Sequence, residues 1–311
     1  MRLSIVSTLY QSAPYVVEFH KRVSDVAKAM VGNDYEIVLV NDGSPDDSLD
    51  LAIKLSEEDT HVVVVDLARN FGHHKAIMTG LSYADGELVF LIDSDLEEQP
   101  EWLPSFHQQF SRENLDTVFG VQTKRKGSLF EKITSMTFHQ LFRFLTKVKQ
   151  PDNIVTARLM SRRYVRALVE HKERELNIGG LFLITGFKQA SQSVNKLRTS
   201  PTTYNFSRKV SHFVNAITSF SSFPLSFTFY AGLLISVSAF LFIAYLVIRY
   251  FFISTPPDGY TSIIASIWLF SGLIISFLGI QGIYLSKVFN EVKQRPYSIV
   301  KKVYRSGSSG K

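Results

Sequence analysis

The sequence of 311 residues contains no cysteine. This absence excludes disulfide scaffolds, thiolate metal sites and cysteine nucleophiles, so any metal must be held by oxygen or imidazole ligands. Proline and glycine are sparse, at 10 and 17 residues, while 45% of the residues are hydrophobic. The chain is therefore neither disordered nor collagen-like, and its length allows at most two compact units.

Charged side chains are missing from two long stretches near the end of the chain. Residues 210–248 and 259–286 contain no Asp, Glu, Lys or Arg. A bilayer core requires about 20 apolar residues, so we expect membrane-spanning helices near 225–248 and 261–285. The connecting segment STPPDGY predicts a helical hairpin. The alternative, a buried helix pair in a soluble core, would normally keep a polar stripe.

The net charge of +6 resides in one terminal segment. Residues 286–311 contain seven basic residues and the single acid Glu291, so the rest of the chain is neutral. A basic folded face for nucleic acid is thereby disfavoured, and we expect no nucleic-acid partner. The hairpin loop has no Lys or Arg apart from Arg249 at the end of the first span. The positive-inside rule therefore predicts a multi-pass protein of the inner (cytoplasmic) membrane with both termini cytoplasmic.

Amphipathic, aromatic-rich patterns flank the predicted spans. We divide the chain into a catalytic domain of residues 1–204, a juxtamembrane helix of 205–223, two transmembrane helices in 224–286 and a basic cytoplasmic tail of 287–311. The helix of 205–223 fits a location in the headgroup region, with ordinary packing on the domain as the alternative. A second such candidate is 128–148.

Short apolar segments alternate with helical periodicity through the first 125 residues. Near-continuous Val, Ile and Leu segments of this kind predict an α/β domain whose parallel sheet is covered on both faces. Ligands of such sheets bind at the carboxyl ends of the strands. The predicted strands are 3–7, 36–40, 62–67, 88–92 and 117–121.

Three polar clusters follow these strands. The segment NDGSPDD at 41–47 is by itself explained as a turn and a helix start. The loop 69–76 runs into a helix and suits an anionic ligand, and we include Asn70 among the expected contacts. The adjacent His73 and His74 could suggest zinc, but no further ligand accompanies them at zinc-site spacing.

The third cluster, DSDLEEQPE, follows the fourth strand. In an extended segment alternate side chains point the same way, so Asp93, Asp95 and Glu97 could converge on one hard cation. Carboxylates placed so closely repel one another unless a cation offsets their charge. The sequence therefore predicts a divalent metal site here.

The ordered set VSTLY, VNDGSPDDS and RNFGHHKAIMTGLSYADGELVFLIDSDLEEQPE, followed by two apolar stretches, resembles the family 2 glycosyltransferases of GT-A fold. Within that family, the chain is similar to the polyisoprenyl-phosphate glycosyltransferases, the group of dolichyl-phosphate mannose synthase and bactoprenol glucosyltransferase. The resemblance covers almost the whole chain, and its specificity comes from the order of the motifs.

The resemblance implies a donor site. Asp95 matches the principal ligand of Mg²⁺ or Mn²⁺, with Asp93 and Glu97 beside it, although family members usually have glutamine where Glu97 stands. Arg125, next to Lys124, matches a basic pair that meets phosphate. The residues implied to contact the nucleotide-sugar are Ser7, Thr8, Tyr10, Asp42, Asn70, Asp93 and Arg125.

The resemblance also implies an acceptor site. Arg158 matches an arginine of the acceptor-side stretch, in which Ala157 replaces an aromatic residue, and Asp152 matches an aspartate that some relatives carry nearer to the arginine. With Asp95, these two are the candidate catalytic residues. The candidate contacts of the lipid phosphate are Arg198, Tyr204, Arg208 and Lys209.

The implied function is inverting transfer of a hexose from a nucleotide-sugar, with UDP-sugars favoured, to polyprenyl phosphate such as undecaprenyl phosphate at the bilayer surface. One alternative is an enzyme of the same fold with another lipid or glycan acceptor. A second is a catalytically inactive membrane scaffold, and a third is a membrane sensor that acts through the basic tail. Small residues at Gly272, Ser276 and Gly279 also make a homo-oligomer plausible.

Overall fold

The computed structural model describes residues 2–122, 153–173, 178–197, 223–253 and 259–306. The chain divides into two compact units. The first comprises Met1–Arg143, Val148–Tyr204 and Arg295–Lys311, and the second comprises Phe144–Lys147 and Asn205–Gln294. The first unit thus contains chain segments from both sides of the second.

Strands and helices alternate along the first unit. Its elements are β1 (Leu3–Leu9), α1 (Val16–Val31), β2 (Tyr35–Asn41), α2 (Ser48–Glu58), β3 (Val62–Leu67), α3 (His73–Tyr83), β4 (Leu88–Leu91), a short 3₁₀ helix (Pro100–Trp102), α4 (Leu103–Glu113), β5 (Thr117–Gln122), β6 (Ile154–Ser161), α5 (Arg162–Val169), α6 (Ile178–Ile184), β7 (Gln189–Val194) and β8 (Val300–Arg305). Every residue of β2 and β3 is buried, as expected for strands covered on both faces. The five strands predicted from the sequence correspond to β1 to β5.

The described strands form one sheet in the order β7-β5-β6-β4-β1-β2-β3-β8. β1 pairs in parallel with β2 and β4, β2 with β3, and β5 with β7. β6 runs antiparallel to β4 and β5, and β8 runs antiparallel to β3. The prediction of an α/β fold with a mostly parallel sheet is confirmed. The carboxyl ends of β1, β2, β3, β4 and β7 consequently lie at the same edge.

Two hydrophobic layers cover the sheet because successive side chains of a strand point to opposite faces. Ile37 and Leu39 of β2 pack in one layer with the apolar sides of α1, α2 and α4. Val38 and Val40 pack in the other layer with α3, α5 and α6. The sheet is therefore rigid on both sides and holds its carboxyl edge in a fixed position.

β8 lies in the segment that the sequence led us to treat as a basic tail. It pairs with β3 from Val63 to Leu67, and Ala68 N–H donates to the carbonyl of Ile299 at 2.9 Å. Thr79 and Ser298 hydroxyls are hydrogen bonded at 2.7 Å. Residues 300–305 thus belong to the sheet rather than to a free tail. The basic side chains of β8 and a register shift obscured this strand, in which Val300 and Val303 pack against one core and Tyr304 against the other.

The second unit contains two long helices, α7 (Phe223–Ile253) and α8 (Tyr260–Val292). They include the stretches expected to span the membrane. Among the described side chains, one stretch has the length and mean hydropathy of a span, Phe270–Val292, and Phe223–Ile235 forms a shorter apolar segment. Crossing of a membrane by both helices stays a prediction. The predicted amphipathic helix of 128–148 lies outside the described residues, and so does that of 205–223 except for its last residue.

Ending the chain after Gln294 would remove β8 and leave β3 as the edge of the sheet. We expect the free energy of unfolding to fall by about 3 kcal/mol or more, because backbone hydrogen bonds and apolar contacts of β3 are lost together. Thermal unfolding of the purified protein in detergent measures this effect. A chain that ends after Ser306 keeps β8 and serves as the control, and equal melting temperatures for both truncations would contradict a structural role for the strand.

Candidate active site

Side chains from three strand ends meet at the carboxyl edge. His73, the first residue of α3, lies between Thr8 of β1 and Asp93 after β4. Its Nδ1 is 3.1 Å from Thr8 Oγ1, and its Nε2 is 3.6 Å from Asp93 Oδ1. His73 thus joins the carboxyl ends of β1 and β4.

Asp42, directly after β2, fixes the loop that follows β3. Its side chain is buried, and its two carboxylate oxygens accept from Phe71 N–H at 2.7 Å and Gly72 N–H at 3.0 Å. Burial raises the pKa of Asp42, while the two backbone hydrogen bonds oppose that shift. The side chain expected to contact a nucleotide base therefore holds the loop of Asn70, whose own side chain is exposed.

Gly43 lets these two loops approach each other. Its φ is +59°, and a Cβ added there would lie 2.4 Å from the backbone nitrogen of Asn70 and 2.5 Å from the carbonyl carbon of Arg69. Any larger residue would have to push the loops apart. The hydrogen bonds of Asp42 depend on this contact.

The residues expected to line a nucleotide pocket at the end of β1 differ in exposure. Ser7 is fully buried, so it does not reach the surface of the site. Thr8 is partly exposed and Tyr10 is 49% exposed. Ser94 fixes this region because its hydroxyl donates to the carbonyl of Thr8 at 2.9 Å. Thr8 and Tyr10 are therefore the available contacts, and Ser7 is an interior residue.

The acidic segment after β4 turns instead of staying extended. Leu96 has a φ of +60°, in the left-handed region, so the alternation of side chains ends at Asp95. Glu97 consequently points to Lys196, with 3.2 Å between Glu97 Oε2 and Lys196 Nζ. The prediction that Asp93, Asp95 and Glu97 converge on one cation assumed an extended chain, and the turn separates Glu97 from that arrangement.

Glu98 lies beneath the acidic segment and is completely buried. Its carboxylate accepts from Thr156 N–H at 2.8 Å and from Asp93 N–H at 3.4 Å, and Lys196 Nζ is 3.8 Å away. Burial raises the pKa of Glu98 to about 8, and the nearby charge of Asp93 adds to this shift. Glu98 therefore joins the ends of β4 and β6.

Lys196 supplies positive charge to this cluster. Burial by itself would lower its pKa, but the carboxylates of Glu98, Asp93, Asp95 and Glu97 raise it above the usual value, so the ammonium stays charged. Burial also raises the pKa of Asp95, and the charges of Asp93 and Glu97 contribute to that shift. The site keeps an excess of negative charge.

Asp93 and Asp95 suit a hard divalent cation by their chemistry. Mg²⁺ is usually bound through one or two carboxylates together with substrate phosphates, and not by a cage of protein ligands. No group of three or more acidic or histidine side chains within the described part of the chain is placed to hold a metal. A metal at this edge would accordingly need ligands from a bound diphosphate.

Arg158 lies in the interior of the first unit. It belongs to β6, is 5% exposed, and donates to the carbonyls of Thr156 and Val155 at 3.0 and 3.3 Å. Its guanidinium carbon lies 3.3 Å from the ring centre of Phe182. Burial lowers its pKa to about 10. The described contacts of its side chain are thus with backbone carbonyls and an aromatic ring, and contact with an acceptor phosphate stays a prediction.

Six predicted residues lie outside the described part of the chain: Arg125, Asp152, Arg198, Tyr204, Arg208 and Lys209. Their roles stay predictions. Conversely, Lys196, Glu98 and His73 belong to the site although sequence reasoning gave them no role there. Glu98 carried a signal, since it stands in the acidic run, whereas Lys196 follows a polar strand almost one hundred residues later and carried none.

Comparison with known proteins identifies relatives over the whole chain. Residues 4–169 match the profile described as glycosyl transferase family 2. A Mycobacterium tuberculosis protein assigned by name to the glycosyltransferases is 46% identical, over 98% of this chain and 89% of its own length. The bactoprenol glucosyl transferase of Shigella flexneri is 30% identical, over 98% and 99%. The undecaprenyl-phosphate 4-deoxy-4-formamido-L-arabinose transferase of Klebsiella pneumoniae is 29% identical, over 98% and 94%.

Gly43→Ala adds only one methyl group, but we expect it to disturb the packing of the two loops. We expect a loss of about 2–3 kcal/mol in stability and weaker nucleotide binding, because the methyl group meets the backbone of the neighbouring loop at a strained φ. Melting temperature and nucleotide titration of the purified protein measure both effects. Gly32→Ala is the matched control, since Gly32 has a φ of +66° but open space around it. Equal effects at both glycines would show that loop contact is unimportant.

Proposed function

The chain belongs to glycosyl transferase family 2, and on that premise we propose that it moves a sugar from a nucleotide-sugar to a polyprenyl phosphate on the cytoplasmic leaflet. The observation that carries the acceptor assignment is the length of the similarity. Relatives named for bactoprenol and undecaprenyl phosphate match 98% of this chain, including α7 and α8. A UDP-sugar is the favoured donor.

The donor site of this proposal is the carboxyl edge of β1, β2 and β4. Thr8 and Tyr10 would contact the nucleoside, and the loop held by Asp42 would face the diphosphate with the start of α3. Asp93 and Asp95 would hold Mg²⁺ or Mn²⁺ together with the diphosphate. The bound cation would offset the charge that develops on the leaving group.

The proposed reaction forms one bond and breaks one. A phosphate oxygen of the acceptor attacks the anomeric carbon opposite the leaving group, the bond from that carbon to the donor diphosphate breaks, and the configuration inverts. The nucleoside diphosphate leaves with the electron pair. Because a phosphate monoester is already ionised near neutral pH, no strong general base is needed. Asp152 would therefore orient the acceptor, and Arg125, Arg198, Tyr204, Arg208 and Lys209 would meet phosphate.

Chain connectivity supports a membrane hairpin. The segments before α7 and after α8 belong to one folded unit, since β8 pairs with β3. A single crossing would place these segments on opposite sides of a bilayer, so α7 and α8 either both cross or neither crosses. With 31 and 33 residues, both exceed the length of about 20 residues that a span requires. Retention of the basic residues near β8 on the cytoplasmic side agrees with the positive-inside rule.

A different lipid or a glycan acceptor is the main alternative within the same reaction class. A transfer assay separates these possibilities: purified protein in detergent receives radiolabelled UDP- or GDP-sugars, undecaprenyl phosphate, and either Mn²⁺ or EDTA. We expect one donor to give a lipid product that mild acid cleaves and EDTA prevents. Nucleotide binding without lipid product would point to another acceptor, and absence of nucleotide binding would favour an inactive scaffold.

Asp95→Asn tests the metal assignment. We expect transfer to fall at least about 100-fold while folding and membrane insertion are kept, because the amide cannot supply the charge that the cation requires. Initial rates across a Mn²⁺ titration measure this loss. Asp25→Asn, an exposed aspartate of α1, is the matched control. Undiminished turnover of Asp95→Asn would remove the metal from this part of the site.

A further inference from the structure

Lys196 is the least expected member of the site. It follows β7, whose carboxyl end lies at the same edge of the sheet as the loops after β2 and β3. Its ammonium group lies against the acidic segment after β4. Its Nζ lies 3.2 Å from Glu97 Oε2 and 3.8 Å from Glu98 Oε1. The side chain is 24% exposed, so this charge is largely shielded from water.

The backbone fixes this ammonium in place. Leu197 N–H donates to the carbonyl of Glu97 at 2.9 Å, so the chain after β7 runs directly along the turn that contains Leu96. The same turn is held by Asp95, whose carboxylate accepts from Glu97 N–H at 3.0 Å. A lysine held by two carboxylates and by a backbone contact is a built part of the site and not a mobile surface group.

The negative charges around Lys196 explain why a cation is needed beside the acidic segment. Asp93, Asp95, Glu97 and Glu98 all act on Lys196, and Arg158 is a further cation that interacts electrostatically with Glu98 and Asp93. Without Lys196, the carboxylates of Asp93, Asp95 and Glu97 would share this small volume with the buried Glu98 and one buried guanidinium. Repulsion between them would favour either an open loop or tight capture of any available divalent cation.

We propose that Lys196 is the resident counter-cation of the donor site. It offsets the carboxylates while no metal is bound, and it keeps Glu97 paired and away from the metal position of Asp93 and Asp95. The ammonium thereby weakens metal binding to the substrate-free protein. A metal is retained well only when the donor diphosphate adds its oxygens, a consequence that rests on the proposed function.

Direct Mn²⁺ binding to the substrate-free protein tests this role. In Lys196→Met we expect Mn²⁺ to bind about tenfold more tightly, because a neighbouring positive charge no longer repels the cation. We also expect a lower melting temperature without metal and a larger increase on addition of Mn²⁺. A residue that only stabilised the fold would lower the melting temperature without a gain in metal affinity.

Two further variants complete the experiment. Lys196→Arg keeps the charge and should bind Mn²⁺ like the unaltered protein, and Lys188→Met removes a lysine beside the other end of β7 and should also change nothing. If Lys196→Met is recovered unfolded, Lys196→Gln, which can still hydrogen bond to Glu97, takes its place.

Equal or weaker Mn²⁺ binding by a folded, charge-neutral variant would overturn the proposal. The measurement contains no sugar donor and no lipid, so its result is independent of the transfer assay. Failure of transfer with tighter Mn²⁺ binding would reject the proposed acceptor or donor but keep the role of Lys196. Transfer with unchanged Mn²⁺ binding would do the reverse.

Discussion

Crowding of four acidic side chains, Asp93, Asp95, Glu97 and the buried Glu98, is the constraint around which the end of β4 is arranged. The parallel sheet delivers polar loops to one edge, and the acidic segment therefore folds close to other strand ends. Glu98 accepts from the backbone of both Asp93 and Thr156, which ties β4 to β6. Lys196 adds the end of β7 to this connection. Three strand ends are thus held together by the charges that a donor site requires.

The remaining loops are organised before any ligand arrives. Both carboxylate oxygens of Asp42 accept hydrogen bonds from the backbone of the loop after β3. The absence of a side chain at Gly43 allows the two loops to come this close. Such preorganisation suits a reaction in which charge moves from an attacking to a leaving phosphate, since fixed groups need not reorient as the charge shifts. The motif that contains Asp42 and Gly43 therefore builds the surface at which we propose that a nucleotide binds.

Sequence reasoning succeeds where a regular periodicity or a strand end decides the outcome. Runs such as VVVVDL predict buried parallel strands. Thr8 and Asp93 come together because they lie at the carboxyl ends of β1 and β4, which are parallel. Sequence reasoning fails where a single backbone angle or a contact with a residue distant in sequence determines the direction of a side chain. The left-handed Leu96 redirects Glu97, which no alternating pattern reveals. Arg158 packs on Phe182 because side chains alternate along β6, and the face opposite Ala157 and Leu159 is the one that α6 covers. The strand β8 is disguised by its charges.

The position of β8 has a consequence for biosynthesis. This strand leaves the ribosome after α7 and α8. While those helices are synthesised, β3 is therefore an unpaired edge of the sheet, although every one of its residues is buried in the finished fold. An unpaired apolar edge invites aggregation, and the lysines and arginine of β8 later present a charged border instead. Completion of the sheet is thereby delayed until α7 and α8 have been synthesised. A chaperone that shields β3 during this interval would act at the step where the nascent protein is most vulnerable.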